Sequence, residues 1–317
     1  MRTGVIFLPS RDPAELIERV VRADRLGFDY VGIGDVPDSS GELYVTLGEL
    51  ATLPLGVSLG PMVTSPAVRH PVVTAAATAA LARRAPERVF LGVGRGGSPL
   101  GHLGVARPAT SELGDCVRAM RAGLLRFGAR VPVLLSAYGP QTLRLAATGA
   151  DGVIIAGGAS TAYVRTAIET VRRAAPNADG LAIWLMVRVS IGESWAEAVN
   201  DIRSNLASAG ANNLRGPSLA TLPDDLQAAL ARLRDRYDTA SAAHTARDGH
   251  NARLIDELGL TEFLAERFAV VGSPDAVRTR FAEYAALGVD AVFVPSVDGD
   301  AEGFLERLIA ARYDASA

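Results

Sequence analysis

Lysine is missing from this chain: all 32 basic residues are arginine. A Schiff-base aldolase, a pyridoxal-phosphate enzyme and a Walker-type phosphate loop each need a lysine, so all three are excluded. The one cysteine, Cys116, cannot make an intrachain disulfide or a multi-cysteine metal site. Four histidines (His70, His102, His244 and His250) form neither a His-x-His pair nor a His-Glu-x-x-His helix, so no metal centre is expected. No apolar run reaches the ~20 residues of a membrane span; the alanine-rich stretch Val72 to Ala82 is too short. A net charge of −3 does not supply the basic face of a nucleic-acid binder. The amino-terminal residues show no small-residue cleavage site. These absences leave the expectation of a soluble cytoplasmic protein that acts on a small molecule, with neither nucleic acid nor membrane as partner.

What is present is a large apolar reserve: 49% of the 317 residues are hydrophobic and 21% charged, enough for a sizeable core. Short β-rich runs alternate with helical patterns. The strand candidates are Gly4 to Leu8, Tyr30 to Gly34, Leu55 to Val63, Val89 to Val93, Val131 to Ser136, Gly152 to Ala156, Ala182 to Ile191 and Ala291 to Pro295. Apolar residues at helical spacing predict helices over Pro13 to Leu26, Pro71 to Arg83, Thr142 to Ala147, Tyr163 to Ala174 and Asp275 to Leu287.

One joint recurs. Gly27-Phe28-Asp29, Gly149-Ala150-Asp151 and Gly288-Val289-Asp290 each close a helix with glycine and open an apolar strand after an aspartate. Glycine tolerates a left-handed helix cap and aspartate suits the turn. Repeated helix-to-strand units with parallel crossovers predict a (β/α)8 TIM barrel, which takes about 250 residues. The excess falls in 192–268, a helical stretch read as an insertion after the seventh strand, so residues 1–317 form a single barrel domain with that insertion. Within it, Ser204 to Pro217 is rich in Ala, Asn, Ser and Gly and reads as mobile. An open doubly wound sheet with a helical second domain is the alternative.

Several glycine-rich segments punctuate the strand ends. Gly92-Val93-Gly94-Arg95-Gly96-Gly97 has the G-x-G-x-x-G spacing, but Ser98-Pro99-Leu100-Gly101-His102 after it is a poor helix start. A Rossmann fingerprint needs that helix at once. The glycines are better read as a barrel-mouth loop that lets a flat ligand approach the backbone. Ala156-Gly157-Gly158-Ala159-Ser160 precedes a helix and either turns backbone amides towards an anion or is a plain turn capped by Ser160 or Thr161. Val271-Gly272-Ser273-Pro274 reads as a helix start with Ser273 as N-cap. His70, before Pro71, reads as a capping or packing residue rather than a general base.

Taken together and in order, these segments resemble the bacterial luciferase-like superfamily, in its branch that uses the deazaflavin coenzyme F420. The likeness rests on Gly34-Asp35 at the end of the second strand and on Glu42-Leu43-Tyr44-Val45-Thr46-Leu47, which is similar to methylenetetrahydromethanopterin reductases. It rests further on the pattern Gly-Pro-x-Val-Thr-x-Pro…Arg-His-Pro from Gly60 to Pro71, on Phe90-Leu91-Gly92-Val93-Gly94, and on Val271-Gly272-Ser273-Pro274. The resemblance implies a dimeric barrel with the cofactor ring at its carboxyl-terminal mouth. It implies that Pro61, Met62, Val63 and Thr64 back the ring at a third-strand bulge with a non-prolyl cis bond at Met62–Val63. Asp35 and Gly94 then lie beside the ring, and the phosphate lies on Ala156, Gly157, Gly158, Ala159 and Ser160. Arg165 or Arg69 is available to add charge.

Two departures bear on the chemistry. Several deazaflavin members carry histidine after the second-strand aspartate, where this chain has Val36. Sugar-phosphate dehydrogenases of the branch carry a glutamate after the fourth-strand glycines, where this chain has Gly97. The candidates left for proton handling are Asp35, Glu42, Tyr44 and His102. The leading expectation is an F420-dependent oxidoreductase that transfers hydride to or from a carbonyl, imine or conjugated alkene. The alternatives are an FMN-dependent luciferase-like monooxygenase and a non-catalytic flavin-binding protein.

Overall fold

The barrel strands form where the apolar runs predict them, and they pair as a barrel requires. The computed structural model describes residues 1–10, 12–37, 41–97, 100, 103–177, 179–214, 217–238, 247–296 and 301–312. Its strands are β1 (Arg2–Phe7), β2 (Tyr30–Ile33), β3 (Ser58–Pro61), β4 (Leu91–Val93), β5 (Val133–Ala137), β6 (Gly152–Ile155), β7 (Ala182–Met186), β8 (Arg188–Ile191), β9 (Ala269–Gly272) and β10 (Ala291–Pro295). Eight of them make one sheet in the order β3-β2-β1-β10-β7-β6-β5-β4, and its ladders are parallel. Two parallel bridges, Leu59 with Val89 and Thr64 with Val93, join the end strands and close the sheet into a (β/α)8 barrel.

The helices between the strands follow from local chemistry. In Pro13–Leu26, Asp12 accepts from the Ala14 amide at 3.0 Å and Pro13 occupies the first turn. Leu16, Val20 and Ala23 form its buried stripe, and Gly27 closes it at φ 85°. Gly288 uses the same left-handed conformation at φ 88°. Gly149 differs: it is the last residue of the helix Pro140–Gly149, and the chain leaves through extended Ala150. The aspartates of the three joints share a task. Asp29 Oδ2 accepts from Thr3 N at 2.8 Å, Asp151 Oδ2 from Val133 N at 2.9 Å, and Asp290 Oδ2 from Ile183 N at 2.7 Å. Each carboxylate thus pins the start of the neighbouring strand at the amino end of the barrel.

The barrel interior is packed. Tyr30, Phe90, Trp184 and Phe293 cluster with ring centroids 4.8 to 6.0 Å apart, and Ile6, Met62, Leu134 and Ile154 fill around them. A methyl at Gly4 would lie 2.7 Å from the Phe293 ring, so β1 gives way there to the aromatic cluster.

The chain divides into two compact units. The barrel unit takes Met1–Ala156, Arg165–Met186 and Ala285–Ser296, and the second takes Gly157–Val164, Val187–Tyr284 and Val297–Ala317. The second unit pairs β8 with β9 in parallel and carries the helices Trp195–Asn213, Pro217–Ala220, Asp224–Arg236, His250–Glu257 and Thr261–Phe268. Its core includes Ile202, Leu206, Leu230, Leu233, Leu264 and Phe268.

Three expectations are corrected here. The run Ala182 to Ile191 is two strands divided at Val187, and its second half pairs with the unanticipated β9 rather than in the barrel. The segment from Ser204 is ordered helix as far as Asn213. Its small residues allow close packing: a methyl on Gly210 would lie 2.9 Å from Leu264 and 3.0 Å from Leu233. The helices Leu43–Leu50 and Thr110–Arg126 were not marked by pattern. Gly48 in the first, and Gly114 and Gly123 in the second, lower local propensity, and tertiary burial overrides it. Among the described residues no helix is long and apolar enough to cross a membrane.

Candidate active site

The site begins where β2 ends. Asp35 follows that strand by two residues, and its side chain is only 3% exposed. Its Oδ2 accepts from Thr64 Oγ1 at 2.7 Å and from Arg69 Nη1 at 2.8 Å. Its Oδ1 is buried and has no hydrogen-bond partner among the described residues. A buried acceptor left unpaired costs about 1–3 kcal/mol, more when charged, so native proteins keep such atoms rarely and for a reason.

Arg69 organises the surroundings. Nη1 also donates to Thr64 Oγ1 at 3.1 Å, and Nη2 donates to Glu42 Oε1 at 2.5 Å. The guanidinium carbon lies 5.1 Å from the centre of the Tyr44 ring, within cation–π range. Burial opposes the Arg69 charge, but the facing Asp35 and Glu42 outweigh it and raise its pKa. Glu42 has a second role as N-cap: its Oε2 accepts from Val45 N at 2.8 Å at the start of the helix Leu43–Leu50. Tyr44 is half-buried as a residue, its hydroxyl 2.9 Å from Thr78 Oγ1, and desolvation of that hydroxyl pushes the phenol well above its usual range.

The third strand supplies the backbone. Between the bridges Leu59–Val89 and Thr64–Val93, β3 advances five residues while β4 advances four, so the chain carries one extra residue there. That is a bulge, the device that re-aims side chains next to sites. Within it the Met62–Val63 peptide is cis, at the position named from the sequence. Pro61 ends β3, Met62 points into the aromatic core, and Val63 packs at its edge. Thr64 is fully buried; its amide donates to Gly92 O at 3.0 Å and its carbonyl accepts from Gly94 N at 2.8 Å. Gly92 and Gly94 allow this approach, since methyls there would lie 2.4 Å from Pro61 O and 2.8 Å from Val63 Cγ2.

Asp35, Glu42, Tyr44 and Thr64 are therefore brought together, through Arg69. Sequence reasoning offered Arg69 as added charge; the structure shows it paired with Asp35 and Glu42. Thr78 was not singled out at all. The pairing of Arg69 with Asp35 spans 34 positions, and no local spacing announces it. His102 lies outside the described residues. His70 caps the helix Pro71–Arg84, its Nδ1 accepting from Val72 N at 3.3 Å. Ser273 caps the helix Pro274–Ala286 by accepting from Ala276 N. Ala156 donates its amide to Ala137 O at 3.1 Å.

In the second unit, Gly157, Gly158, Ala159 and Ser160 lead into the helix Thr161–Ala174. Ala159 N donates to Arg267 O at 2.8 Å, Ala159 O accepts from Tyr284 Oη, and Ser160 Oγ accepts from Tyr163 N at 3.3 Å. A methyl on Gly158 would lie 3.1 Å from both Arg267 O and the Tyr163 ring, so the loop is tightly seated.

Comparison with known proteins agrees with this architecture. A 5,10-methylenetetrahydromethanopterin reductase of Methanolobus tindarius is 30% identical over 176 residues, 49% of this chain and 54% of that protein, so the match spans about half the relative's length. An F420-dependent glucose-6-phosphate dehydrogenase of Nakamurella multipartita is 30% identical over 270 residues, 73% of this chain and 78% of that protein. Among solved structures, the coenzyme F420 dependent tetrahydromethanopterin reductase from Methanopyrus kandleri superposes with a TM-score of 0.73 at 20% identity, covering 98% of both chains. The sequence pattern of the luciferase-like monooxygenases matches residues 1–291, and this chain belongs to that family.

Proposed function

We propose that this protein is an oxidoreductase dependent on coenzyme F420, moving hydride between the deazaflavin and a small organic substrate that carries a carbonyl, imine or conjugated alkene. The observation that carries this reading is the 30% identity across 78% of the Nakamurella multipartita protein, an enzyme named for its F420 dependence. The residues present suit such a ligand. Asp35 Oδ1 is a buried acceptor without a partner among the described residues, and ring systems of this kind offer N–H and O–H donors. The bound cofactor would supply the carbon that gives or takes hydride, while the protein contributes orientation and electrostatics.

Pro61, Met62, Val63, Thr64 and Gly94 are the proposed backbone wall for the ring. Asp35 is the proposed group that accepts a donor or holds a proton at Oδ1; Glu42, Tyr44 and His102 are the remaining candidates for proton handling. Val36 and Gly97 stand where branch members carry histidine and glutamate, which argues for a substrate other than a sugar phosphate. In the second unit, the amides of Gly157, Gly158 and Ser160 at the start of a 14-residue helix are proposed to take an anion such as a phosphate. The Ala159 amide is already engaged.

A second reading, an FMN-dependent monooxygenase, is favoured by the description of the family itself. Fluorescence titration with oxidised F420 and with FMN, followed by an oxygen-electrode assay with the preferred cofactor reduced, separates the two. F420 is expected to bind more tightly and no oxygen to be consumed. Tight FMN binding with oxygen-dependent product formation would overturn the F420 reading. The working form is proposed to be a cytoplasmic homodimer, and the exposed Val45, Val72 and Val73 support the dimer. A monomer mass by light scattering would remove the dimer.

A further inference from the structure

Arg69 sits between two carboxylates. One guanidinium nitrogen binds Asp35 Oδ2 at 2.8 Å and the other binds Glu42 Oε1. Its face lies on Tyr44, whose hydroxyl is held by Thr78. Glu42 is in turn fixed by the first turn of the helix it caps. Only a planar, two-pronged cation can hold two carboxylates at a set spacing and pack on a ring at the same time. The result is a one-sided restraint: Asp35 Oδ2 has two donors, Thr64 Oγ1 and Arg69 Nη1, and Oδ1 has none among the described residues. The three charged groups carry a formal charge of −1. A phosphate or carboxylate brought against Oδ1 would meet a site of net negative charge. An N–H or O–H would complete the site.

We infer that Arg69 is a positioning residue, which locks the Asp35 carboxylate so that Oδ1 is presented as the acceptor for an N–H or O–H donor of the bound ligand. This rests on the reading of Asp35 as part of the F420 site, and it assigns the docked group as a donor rather than an anion. Both terminal nitrogens of Arg69 are engaged within the protein, so its part in the site is to hold the two carboxylates.

The test is a double-mutant cycle read by titration with oxidised F420 across wild type, Asp35→Asn, Arg69→Met and the double variant. If Arg69 acts through Asp35, each single change weakens binding about tenfold and the double change is no worse than Asp35→Asn alone. Losses that multiply to about a hundredfold would show that Arg69 acts on its own and would overturn the inference. A second readout does not need the cofactor: the Asp35 side-chain carboxyl ¹³C resonance. It is expected to move in Arg69→Met and to return most of the way in Arg69→Lys, which restores a cation beside Oδ2. A resonance unmoved by Arg69→Met would overturn the inference even where binding is lost. Should wild type fail to bind F420 while the carboxyl resonance responds as expected, the cofactor reading falls and the positioning role stands. Where Arg69→Met does not fold, Arg69→Lys takes its place in the cycle, with partial loss expected because a single ammonium cannot span both carboxylates.

Discussion

Asp29, Asp151 and Asp290 lie at the amino ends of barrel strands, whereas Asp35 lies beyond the carboxyl end of β2, and their surroundings are opposite in kind. The first three are partly exposed and each accepts a backbone amide of the neighbouring strand in the sheet at 2.7 to 2.9 Å. Asp35 is buried, is met by an arginine and a threonine on one oxygen, and has its other oxygen without a partner among the described residues. A carboxylate that satisfies a strand amide contributes to the fold; a buried one that is half-satisfied is a place kept for something else. The same residue type thus serves assembly at the amino end of the barrel, while at the carboxyl end, where barrels of this kind carry their function, it stands half-satisfied and is the proposed site group.

Asp35→Asn should give the sharpest break between the two ends. Proton handling by a positioned side chain is worth about 10²–10⁴-fold, so turnover with reduced or oxidised F420 should fall by that order while the thermal midpoint hardly moves. Near-normal turnover would place Asp35 with the structural aspartates. The converse change, Asp290→Ala, removes the partner of the Ile183 amide. It should cost about 1–2 kcal/mol, read as a lower midpoint in urea unfolding with F420 affinity unchanged; an affinity loss of tenfold or more would blur the distinction. Tyr44→Phe deletes the hydroxyl facing Thr78 but leaves the ring under Arg69, and about 1 kcal/mol of stability should go with it. A turnover collapse in this variant would mean that the phenol itself takes part. The smallest effect is expected from His70→Ala, which loses a long 3.3 Å cap on the helix Pro71–Arg84. Its cost should be about 0.5–1 kcal/mol, with no change in kcat.

The barrel was legible because its signals are local. Alternating apolar runs and helical stripes place strands and helices, and the Gly-x-Asp joints mark where one becomes the other. Val187 was not legible as a division, since Ala182 to Ile191 is uniformly strand-forming and only tertiary pairing sends its second half to β9. The short run Ala269–Gly272 abuts the helix Thr261–Phe268 directly and so lacked the punctuation that frames other strands. At the site, Asp35, Glu42, Tyr44 and the Pro61–Thr64 segment could be named from motif order. What could not be read was which of them touch, because Arg69 joins residues 27 and 34 positions away through contacts that depend on the closed sheet. The same limit applied to the Gly157–Ser160 loop, where the seat of Ala159 on Arg267 joins residues more than a hundred positions apart.

The extra residue in β3 has a consequence for inheritance and for engineering. Strand side chains alternate by parity, and one added residue flips the parity of everything after it. Here β2 pairs with β3 in register from Tyr30–Ser58 to Ile33–Pro61, so the insertion falls beyond that ladder and is felt across the seam with β4. By that ladder the place facing Asp35 is two residues beyond Pro61, and the extra residue hands it to Thr64, whose hydroxyl donates to Asp35 Oδ2. Deleting a single residue between Pro61 and Thr64 would equalise the count across the seam and leave the threonine opposite Val93 and on the face of Asp35, so the deletion removes the bulge rather than the threonine's place. The bend at Met62 and Val63 is therefore set by the number of residues between Gly60 and Thr64, and engineering of this segment must keep that number to keep the bend.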